Sequence, residues 1–226
     1  MRPGRAGKRR WFIAGLTAAA VLLAAGYAFG ATQIVAQADN TYSASTYTIN
    51  QGEVATLQVT GSDHNATANQ KGPDGMALFR SPTISGGQTQ VNGTQFLTAG
   101  DYTFFCTVHP TTMQATLRVT GAGAPVPRPS ATLSLQTKTI SKALKKGLLV
   151  GINASSKVDN ATITAKLGNA VVGQAPNVSF ATGQQFNVVK LTKSGKSKLR
   201  KKSKAALTIT ASIPFGAPAT AKGKLK

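Results

Sequence analysis

Residues 100–119 of the chain have the sequence GDYTFFCTVHPTTMQATLRV. It contains the only cysteine of the chain, Cys106, together with His109 and Met113. Apolar and polar residues alternate on both sides of these three, which predicts two half-buried strands joined by a short loop. A thiol, an imidazole and a thioether on one loop form a soft donor set, and such a set suits copper.

The chain has one further histidine, His64, which follows the alternating run Val-Ala-Thr-Leu-Gln-Val at residues 54–59. This run predicts a strand, so His64 is expected at a strand end, where a side chain can project from a rigid scaffold. Two imidazoles, one thiolate and a weak axial thioether are the ligands of blue-copper electron-transfer centres. The competing interpretation is that the lone cysteine is a small buried apolar residue and the methionine fills the core.

Three local patterns in this part of the chain match a known family. They are the pair His64-Asn65, the approach Gly-x-Tyr-x-Phe-x-Cys at Gly100, Tyr102, Phe104 and Cys106, and the Cys-x-x-His…Met loop. On these residues, the region 40–121 resembles the cupredoxins, and within them the plastocyanin, pseudoazurin and amicyanin group. The spacing between His109 and Met113 differs from that of both amicyanin-like and plastocyanin-like loops.

The resemblance implies a Greek-key β-sandwich that binds one type 1 copper ion through His64, Cys106, His109 and Met113. It also implies that Asn65 ties the His64 loop to the Cys106 loop by hydrogen bonds. His109 is expected to be the more exposed of the two imidazoles and the port for electrons. Cys106 would be the main electronic route to the metal, and Met113 the weak ligand that tunes its potential.

The N-terminal residues predict export from the cytoplasm. The first ten residues contain five basic side chains, residues 11–30 form an apolar run, and a small-x-small sequence ends at Ala38. We therefore expect residues 1–38 to be a signal peptide cleaved after Ala38, or an uncleaved anchor in which residues 11–30 span the membrane. Arg9-Arg10 also fits the twin-arginine export pattern, although paired arginines are common in basic leaders. In either case residues 39–226 are expected outside the cytoplasm, in the periplasm or cell envelope, or secreted.

Charge is distributed unevenly along the chain, whose net charge is +20. Residues 39–121 contain three basic and five acidic residues, whereas residues 122–226 contain eighteen basic residues and one acidic residue. The predicted metal-binding domain is therefore nearly neutral, and the basic character belongs to the C-terminal domain. A single cysteine excludes an internal disulfide, and an exported free thiol would be open to oxidation unless it binds a metal.

The prediction for the whole chain is an all-β fold, in which a hydrophobic N-terminal helix precedes two β-sandwiches. The first sandwich covers residues 39–121, a proline- and glycine-rich linker covers residues 122–130, and the second sandwich covers residues 131–226. The second resembles the Ig-like modules of exported actinobacterial proteins. Strands are expected at residues 41–49, 53–60, 94–97, 101–106, 115–119, 131–138, 148–154, 160–167, 185–192 and 205–213, with a helical turn within residues 191–204.

These observations predict a blue-copper protein that carries single electrons between redox partners at the cell envelope and has no enzymatic activity of its own. Multicopper oxidases and copper nitrite reductases need further histidine-rich centres, and this chain has only two histidines. Two alternatives stay open at this point. One is a copper-binding or sequestering protein without a redox partner, and the other is a structural envelope protein.

The expected partners are an unidentified redox protein and, for the basic domain, an anionic envelope polymer or a lipid surface. The lysine-rich stretch at residues 196–204 favours such a partner. The alternative is a solvated charged face with no partner. Nucleic acid is not expected, because the chain is predicted to be exported and the basic stretch has no interleaved aromatic residues for stacking.

Overall fold

A computed structural model of the chain describes residues 32–226. The predicted signal peptide or anchor covers residues 1–38, so most of it lies outside the described residues. Within residues 32–226, no helix is long and apolar enough to cross a membrane. Residues 31–226 cluster into a compact unit of their own, and this unit contains the two hydrophobic cores found in the described part of the chain.

Seven short strands build the first region of this unit. They are β1 (Gln33–Ala36), β2 (Thr46–Gln51), β3 (Ala55–Val59), β4 (Thr67–Ala68), β5 (Gly87–Val91), β6 (Gly100–Phe105) and β7 (Gln114–Gly123). One sheet has three strands in the order β1-β3-β5, and the other has four in the order β2-β7-β6-β4. β1 runs parallel to β3 and β2 runs parallel to β7, whereas β6 is antiparallel to β7. The structure confirms the predicted β-sandwich here.

The sheets of the first region share one apolar core. In β3 every second residue is buried, so Ala55, Leu57 and Val59 face inward with the period of two that a strand imposes. Phe79 and Phe104 are fully buried, and their rings pack edge to face with centroids 6.0 Å apart. Because Phe104 lies in β6, this packing fixes the strand that leads directly into the cysteine loop.

β1 corrects the predicted start of the first domain. The predicted boundary and cleavage site follow Ala38, but Ile34 and Ala36 lie before it and are fully buried in the core. β1 also pairs with β3 along its whole length. The sequence pattern does not reveal this strand, because its apolar residues closely follow the apolar run of the predicted leader. Cleavage after Ala38 would therefore remove one strand of the sandwich.

Other predicted strands of the first region correspond to β2, β3, β6 and β7, with shifted ends. The strand predicted at residues 94–97 is wrong, because Thr94–Phe96 form a turn of 3-10 helix. Thr94 is buried there, and its hydroxyl accepts a hydrogen bond from the N–H of Ala55 at 3.0 Å. This side chain thus anchors the turn to the start of β3 rather than extending a sheet.

Seven further strands and two short helices build the second region. They are β8 (Ala131–Leu135), α1 (Ile140–Lys146), β9 (Leu148–Ala154), β10 (Val158–Leu167), β11 (Ala170–Phe180), β12 (Gly183–Leu191), α2 (Lys193–Arg200), β13 (Ala205–Ser212) and β14 (Ala219–Leu225). The strands form one antiparallel sheet in the order β14-β13-β10-β11-β12-β9-β8. All five strands predicted here exist, and the predicted helical turn is α2. β11, β14 and α1 were not predicted.

The sheet of the second region curls toward a barrel, whereas we expected the two packed sheets of an Ig-like sandwich. Its first and last strands meet, because the N–H of Lys226 donates to the carbonyl of Lys138 and the N–H of Ile140 donates to that of Lys226, both at 2.9 Å. Gly223 also lies against Leu135, leaving no room for a side chain between β14 and β8. The curled sheet encloses the larger of the two cores.

A threonine side chain caps the N-terminus of each helix. Thr139 accepts a hydrogen bond from the N–H of Lys142 at 3.2 Å, and Thr192 accepts one from the N–H of Gly195 at 2.9 Å. Such caps satisfy N–H groups that have no partner within the helix. Gly195 also allows α2 to lie against β11, since a Cβ there would overlap the carbonyl of Val172. α2 is thus packed closely against β11, and buried residues of both helices contribute to the core of this region.

Side chains from both regions meet at one junction. The carboxylate of Asp74 accepts the backbone N–H of Phe215 at 2.8 Å and pairs with Arg80 at 3.2 Å. The guanidinium of Arg80 lies 4.2 Å from the centroid of the Phe215 ring, and Arg128 donates to the Phe215 carbonyl at 3.0 Å. Phe215 has a φ of 62°, which is costly for a bulky residue. The junction therefore holds Phe215 by its ring and by both backbone polar groups.

The segment between β7 and β8 is shorter and more ordered than the predicted linker. β7 continues to Gly123, so residues 124–130 connect the strands. Within them the N–H of Val126 donates to the carbonyl of Gln95 at 2.8 Å, and Arg128 lies over the ring of Phe96 at 5.5 Å. The segment is packed at the junction and is not a solvated spacer.

Replacing Asp74 by alanine is expected to destabilise the protein at neutral pH by about 1–3 kcal/mol, because it leaves the Phe215 N–H and Arg80 without their shared acceptor. Burial raises the pKa of Asp74, but hydrogen bonds from the N–H groups of Phe215 and Met76 and the charge of Arg80 outweigh it, so the pKa lies below its ordinary value. A lowered folded-state pKa gives stability that is present above the unfolded value and is lost as the pH falls below about 4. Urea unfolding across this pH range measures both effects.

The matched control is Asp101→Ala, which removes the same charge from an exposed pair with Arg118 at 2.9 Å. Exposed pairs contribute little to stability, so this variant should unfold almost like the parent. Equal unfolding curves for Asp74→Ala and Asp101→Ala at neutral pH would contradict the role given to the junction.

Candidate metal centre

Two loops of the sandwich carry the predicted ligands. His64 lies after β3, and its backbone N–H and carbonyl each bond to Ile84 at 3.0 Å. Cys106 directly follows β6, and its N–H donates to the carbonyl of Met113 at 3.0 Å. The N–H of His109 donates to the carbonyl of Cys106 at 3.2 Å, and the N–H of Met113 donates to that of His109 at 3.0 Å. Backbone hydrogen bonds of the chain itself therefore shape both loops.

The donor atoms of three predicted ligands converge. The ligand atoms of His64, Cys106 and His109 all lie within 4.8 Å of one another. The sulfur of Cys106 is 3.9 Å from Nδ1 of His64 and 3.9 Å from Nδ1 of His109. Metal–sulfur and metal–nitrogen bonds of about 2.3 and 2.0 Å at trigonal angles would separate sulfur from nitrogen by about 3.7 Å. The spacing fits a single metal ion, and a His-Cys-His donor set fits copper.

Hydrogen bonds orient the ring of His64. Its Nε2 lies 3.1 Å from the carbonyl oxygen of Gln37 and 3.3 Å from the hydroxyl of Ser62. Because a carbonyl can only accept, Nε2 carries the proton and Nδ1 presents its lone pair toward Cys106. The ring is fully buried, and burial lowers the pKa of His64, although the bond to Gln37 opposes this effect. Histidine binds metals as the neutral imidazole, which this environment favours.

The side chain of Asn65 joins the two loops, in the arrangement that the family resemblance implies. Its Nδ2 donates to Oγ1 of Thr107 at 2.6 Å and to Oγ1 of Thr83 at 2.7 Å. Its Oδ1 accepts the backbone N–H of Thr107 at 3.0 Å. Thr107 directly follows the cysteine and Asn65 directly follows His64, so these bonds set the distance between the two loops.

Burial distinguishes one of the predicted ligands from the other three. His64, Cys106 and Met113 have no exposed surface, whereas His109 is partly exposed. Its neighbour Val108 is 46% exposed. His109 is therefore the more exposed of the two imidazoles, as expected, and its edge is the part of the centre that another molecule can reach.

Gln37 is the contact that sequence reasoning missed. It lies in the segment assigned to the leader, and it acts through its backbone carbonyl, which no side-chain pattern can reveal. Its position could still have been located through the strand just before it. Gln-Ile-Val-Ala at residues 33–36 has the composition of a strand, and alternating burial is expected from it. The residues just after β1 thus belong to the metal centre.

The comparisons with known proteins concern the first region. Residues 31–120 match the model of the family described as copper binding proteins, plastocyanin/azurin family. This region of the chain, which carries the His-Cys-His site, is therefore similar to that copper-binding family, and the match supports the cupredoxin resemblance. The comparison with curated proteins found no match.

Several solved structures are similar to the chain. A mutant amicyanin in its reduced Cu(I) form at pH 4 is 24% identical, with a TM-score of 0.33 over 42% of this chain and 87% of that chain. A purple cupredoxin from Nitrosopumilus maritimus is 22% identical, with a TM-score of 0.32 over 39% of this chain and 98% of that chain. Amicyanin from Paracoccus versutus is 27% identical, with a TM-score of 0.33 over 40% of this chain and 82% of that chain.

Replacing Asn65 by alanine is expected to lower the free energy of unfolding of the metal-free protein by about 1–3 kcal/mol. The reason is that loss of the Asn65 amide leaves the Thr107 N–H without its acceptor. The same change should shift the visible spectrum of the copper-loaded protein, since the cysteine loop loses its link to His64. Asn69→Ala is the control, because it removes an exposed bond to Thr103 at 2.8 Å. If both variants keep the parent spectrum, Asn65 does not position the centre.

A fragment of residues 32–226 is expected to be more stable than a fragment of residues 39–226 by at least about 2 kcal/mol, because the longer one retains the buried side chain of Ile34. The shorter fragment should also bind copper less tightly, since it lacks the carbonyl that orients His64. Gln37→Ala in the longer fragment keeps that carbonyl and should bind as the parent does. Copper titration and thermal unfolding compare the three, and equal behaviour of both fragments would overturn the role of β1.

Proposed function

We propose that this chain is an exported blue-copper protein that carries single electrons between redox partners at the cell envelope. One observation carries the proposal: the buried thiol of Cys106 lies 3.9 Å from Nδ1 of each of two imidazoles. A copper ion held by such donors supplies one-electron redox chemistry. The donor set, its enclosure and its single accessible edge all suit transfer of an electron without binding of a substrate.

Each residue of the site has a distinct part in this proposal. Cys106, as a thiolate, and the two imidazoles of His64 and His109 would hold the metal. Met113 follows on the same loop and would be the weak fourth ligand that tunes the potential. The bonds of Asn65 and of the Gln37 carbonyl keep the donors in place, so the site need not rearrange when the charge of its metal changes.

His109 is the proposed port for electrons, because its ring is the only partly exposed member of the three convergent donors. We propose that a redox partner docks against this edge. The protein then acts as a carrier without a catalytic centre, since both of its histidines belong to this one site. A copper-sequestering protein could use the same donors, but it would not need fast electron exchange.

Location outside the cytoplasm is part of the proposal and rests on the basic and apolar residues 1–30. The burial of β1 bears on how this leader is processed. A cut after Ala38 would remove Ile34 and the Gln37 carbonyl, so we propose that any cleavage falls before Gln33. The uncleaved alternative keeps residues 11–30 as a membrane anchor and leaves the sandwich intact.

The first test is the visible spectrum of residues 32–226 with Cu(II), compared with Cys106→Ser. Serine is close to cysteine in size but provides no thiolate, so an intense thiolate-to-copper band in the parent should vanish in the variant. Electron self-exchange of the copper protein, measured by line broadening in NMR, then separates a carrier from a sequestering protein. A colourless parent would refute the copper proposal, and a coloured parent with slow exchange would favour sequestration.

A further inference from the structure

The two short helices of the second region lie side by side and carry a cluster of lysines. Together with β12 they border a surface groove of about 290 Å³. Its lining combines four lysines with small or apolar residues; the lining residues are Lys145, Lys146, Lys190, Lys196, Ala143, Leu144, Gly147, Val188 and Leu191. We call the groove and its four lysines the lysine face.

The positive charge of the lysine face is not neutralised within the protein. Asp159 is the only acidic residue between residues 122 and 226, and it is paired with Lys157 at 2.9 Å. Among residues 32–226, the lysines of the lysine face form no salt bridge. Four adjacent cations without counter-charges repel one another, so an external anionic surface would be attracted to them.

Apolar side chains are exposed next to these lysines. Phe186 and Val188 lie on the outer side of β12 and are 57% and 47% exposed. They alternate with buried or half-buried residues, as Lys190 does, so all three project from the same side of the strand. Gly147, at the end of α1, lies so close to Val188 that a Cβ there would be 2.9 Å from it. The lysines at the end of α1 therefore adjoin Val188, and Phe186 lies two positions further along the same side of β12.

We propose that the lysine face and Phe186 dock the protein onto the surface of an anionic lipid bilayer. Lysines attract acidic headgroups, and an exposed aromatic side chain can enter the boundary between headgroups and acyl chains. A soluble polyanion would use the lysines alone and would leave Phe186 and Val188 in water. The combination of charge with an exposed aromatic ring thus favours a bilayer, and this inference does not depend on copper binding.

The test uses a metal-free fragment of residues 32–226, which excludes the apolar leader and contains both cores. Its co-sedimentation with mixed vesicles of phosphatidylglycerol and phosphatidylcholine is compared with its co-sedimentation with vesicles of phosphatidylcholine alone. Each lysine near an anionic surface contributes on the order of fivefold to binding, so the triple change Lys145→Gln, Lys146→Gln and Lys196→Gln should weaken it about a hundredfold. The control triple, Lys166→Gln, Lys222→Gln and Lys224→Gln, removes equal charge from β10 and β14 and should have a much smaller effect.

The contribution of Phe186 is tested separately. Phe186→Gln should weaken vesicle binding severalfold, whereas Met76→Gln, which replaces an equally exposed apolar residue of the first region, should not. The only tryptophan of the chain is Trp11, so Phe186→Trp gives the fragment a single tryptophan, which can be excited selectively over its tyrosines. Its emission should shift to the blue with anionic vesicles and stay unchanged with inorganic polyphosphate.

These measurements can overturn the proposal in two ways. If the two lysine triples weaken binding equally, charge is spread over the whole region and the lysine face is not a site. If the fragment binds polyphosphate as tightly as vesicles and the Phe186→Trp emission does not shift, the ligand is a soluble polyanion and not a bilayer. Selective loss in the first triple together with the blue shift supports bilayer docking.

Discussion

The hydrogen bonds of Asn65 are the constraint on which the metal centre depends. The two loops that supply the donors are far apart in the chain, since His64 and Cys106 are separated by 42 positions. Bringing them together costs conformational entropy, and a metal alone would have to offset that cost on binding. Asn65 offsets it within the folded chain, because one amide group bonds both the side chain and the backbone of Thr107. The centre is therefore arranged by the fold, and the same bonds oppose its rearrangement.

A second constraint acts on the other face of His64. The carbonyl of Gln37 fixes which ring nitrogen carries the proton. Burial and neighbouring His109 lower the pKa of His64, which favours the neutral imidazole, although the bond to Gln37 opposes them. Gln37 itself is placed by β1, whose residues Ile34 and Ala36 are enclosed in the core. The start of the sandwich thus contributes both packing and chemistry. A contact that orients a ligand is as much a part of such a site as the ligand itself.

The three convergent donors, His64, Cys106 and His109, could be predicted from the sequence, because their types are rare in this chain and their spacing falls between alternating strands. β1 could not be predicted, because its short apolar run closely follows the apolar run of the leader. Only tertiary packing shows that the residues of β1 belong to the sandwich. β11 was missed because Gly173, Pro176 and Asn177 interrupt its alternation, and β14 because Gly223 and two lysines dilute its pattern. The 3-10 turn at Thr94–Phe96 depends on a tertiary bond to Ala55. Local patterns identified the chemistry, and long-range contacts decided the boundaries.

The junction at Phe215 determines how the basic region can influence the metal centre. Asp74, Arg80 and Arg128 hold Phe215 through an ion pair, a cation–π contact and two backbone hydrogen bonds, and the connecting residues 124–130 pack there as well. A flexible tether would let the two regions orient independently. Binding of the basic region to a surface would then only raise the local concentration of the sandwich near that surface. A fixed junction has a stronger consequence. Any surface that binds the basic region also fixes the orientation of the sandwich, and with it the direction in which the exposed edge of His109 faces.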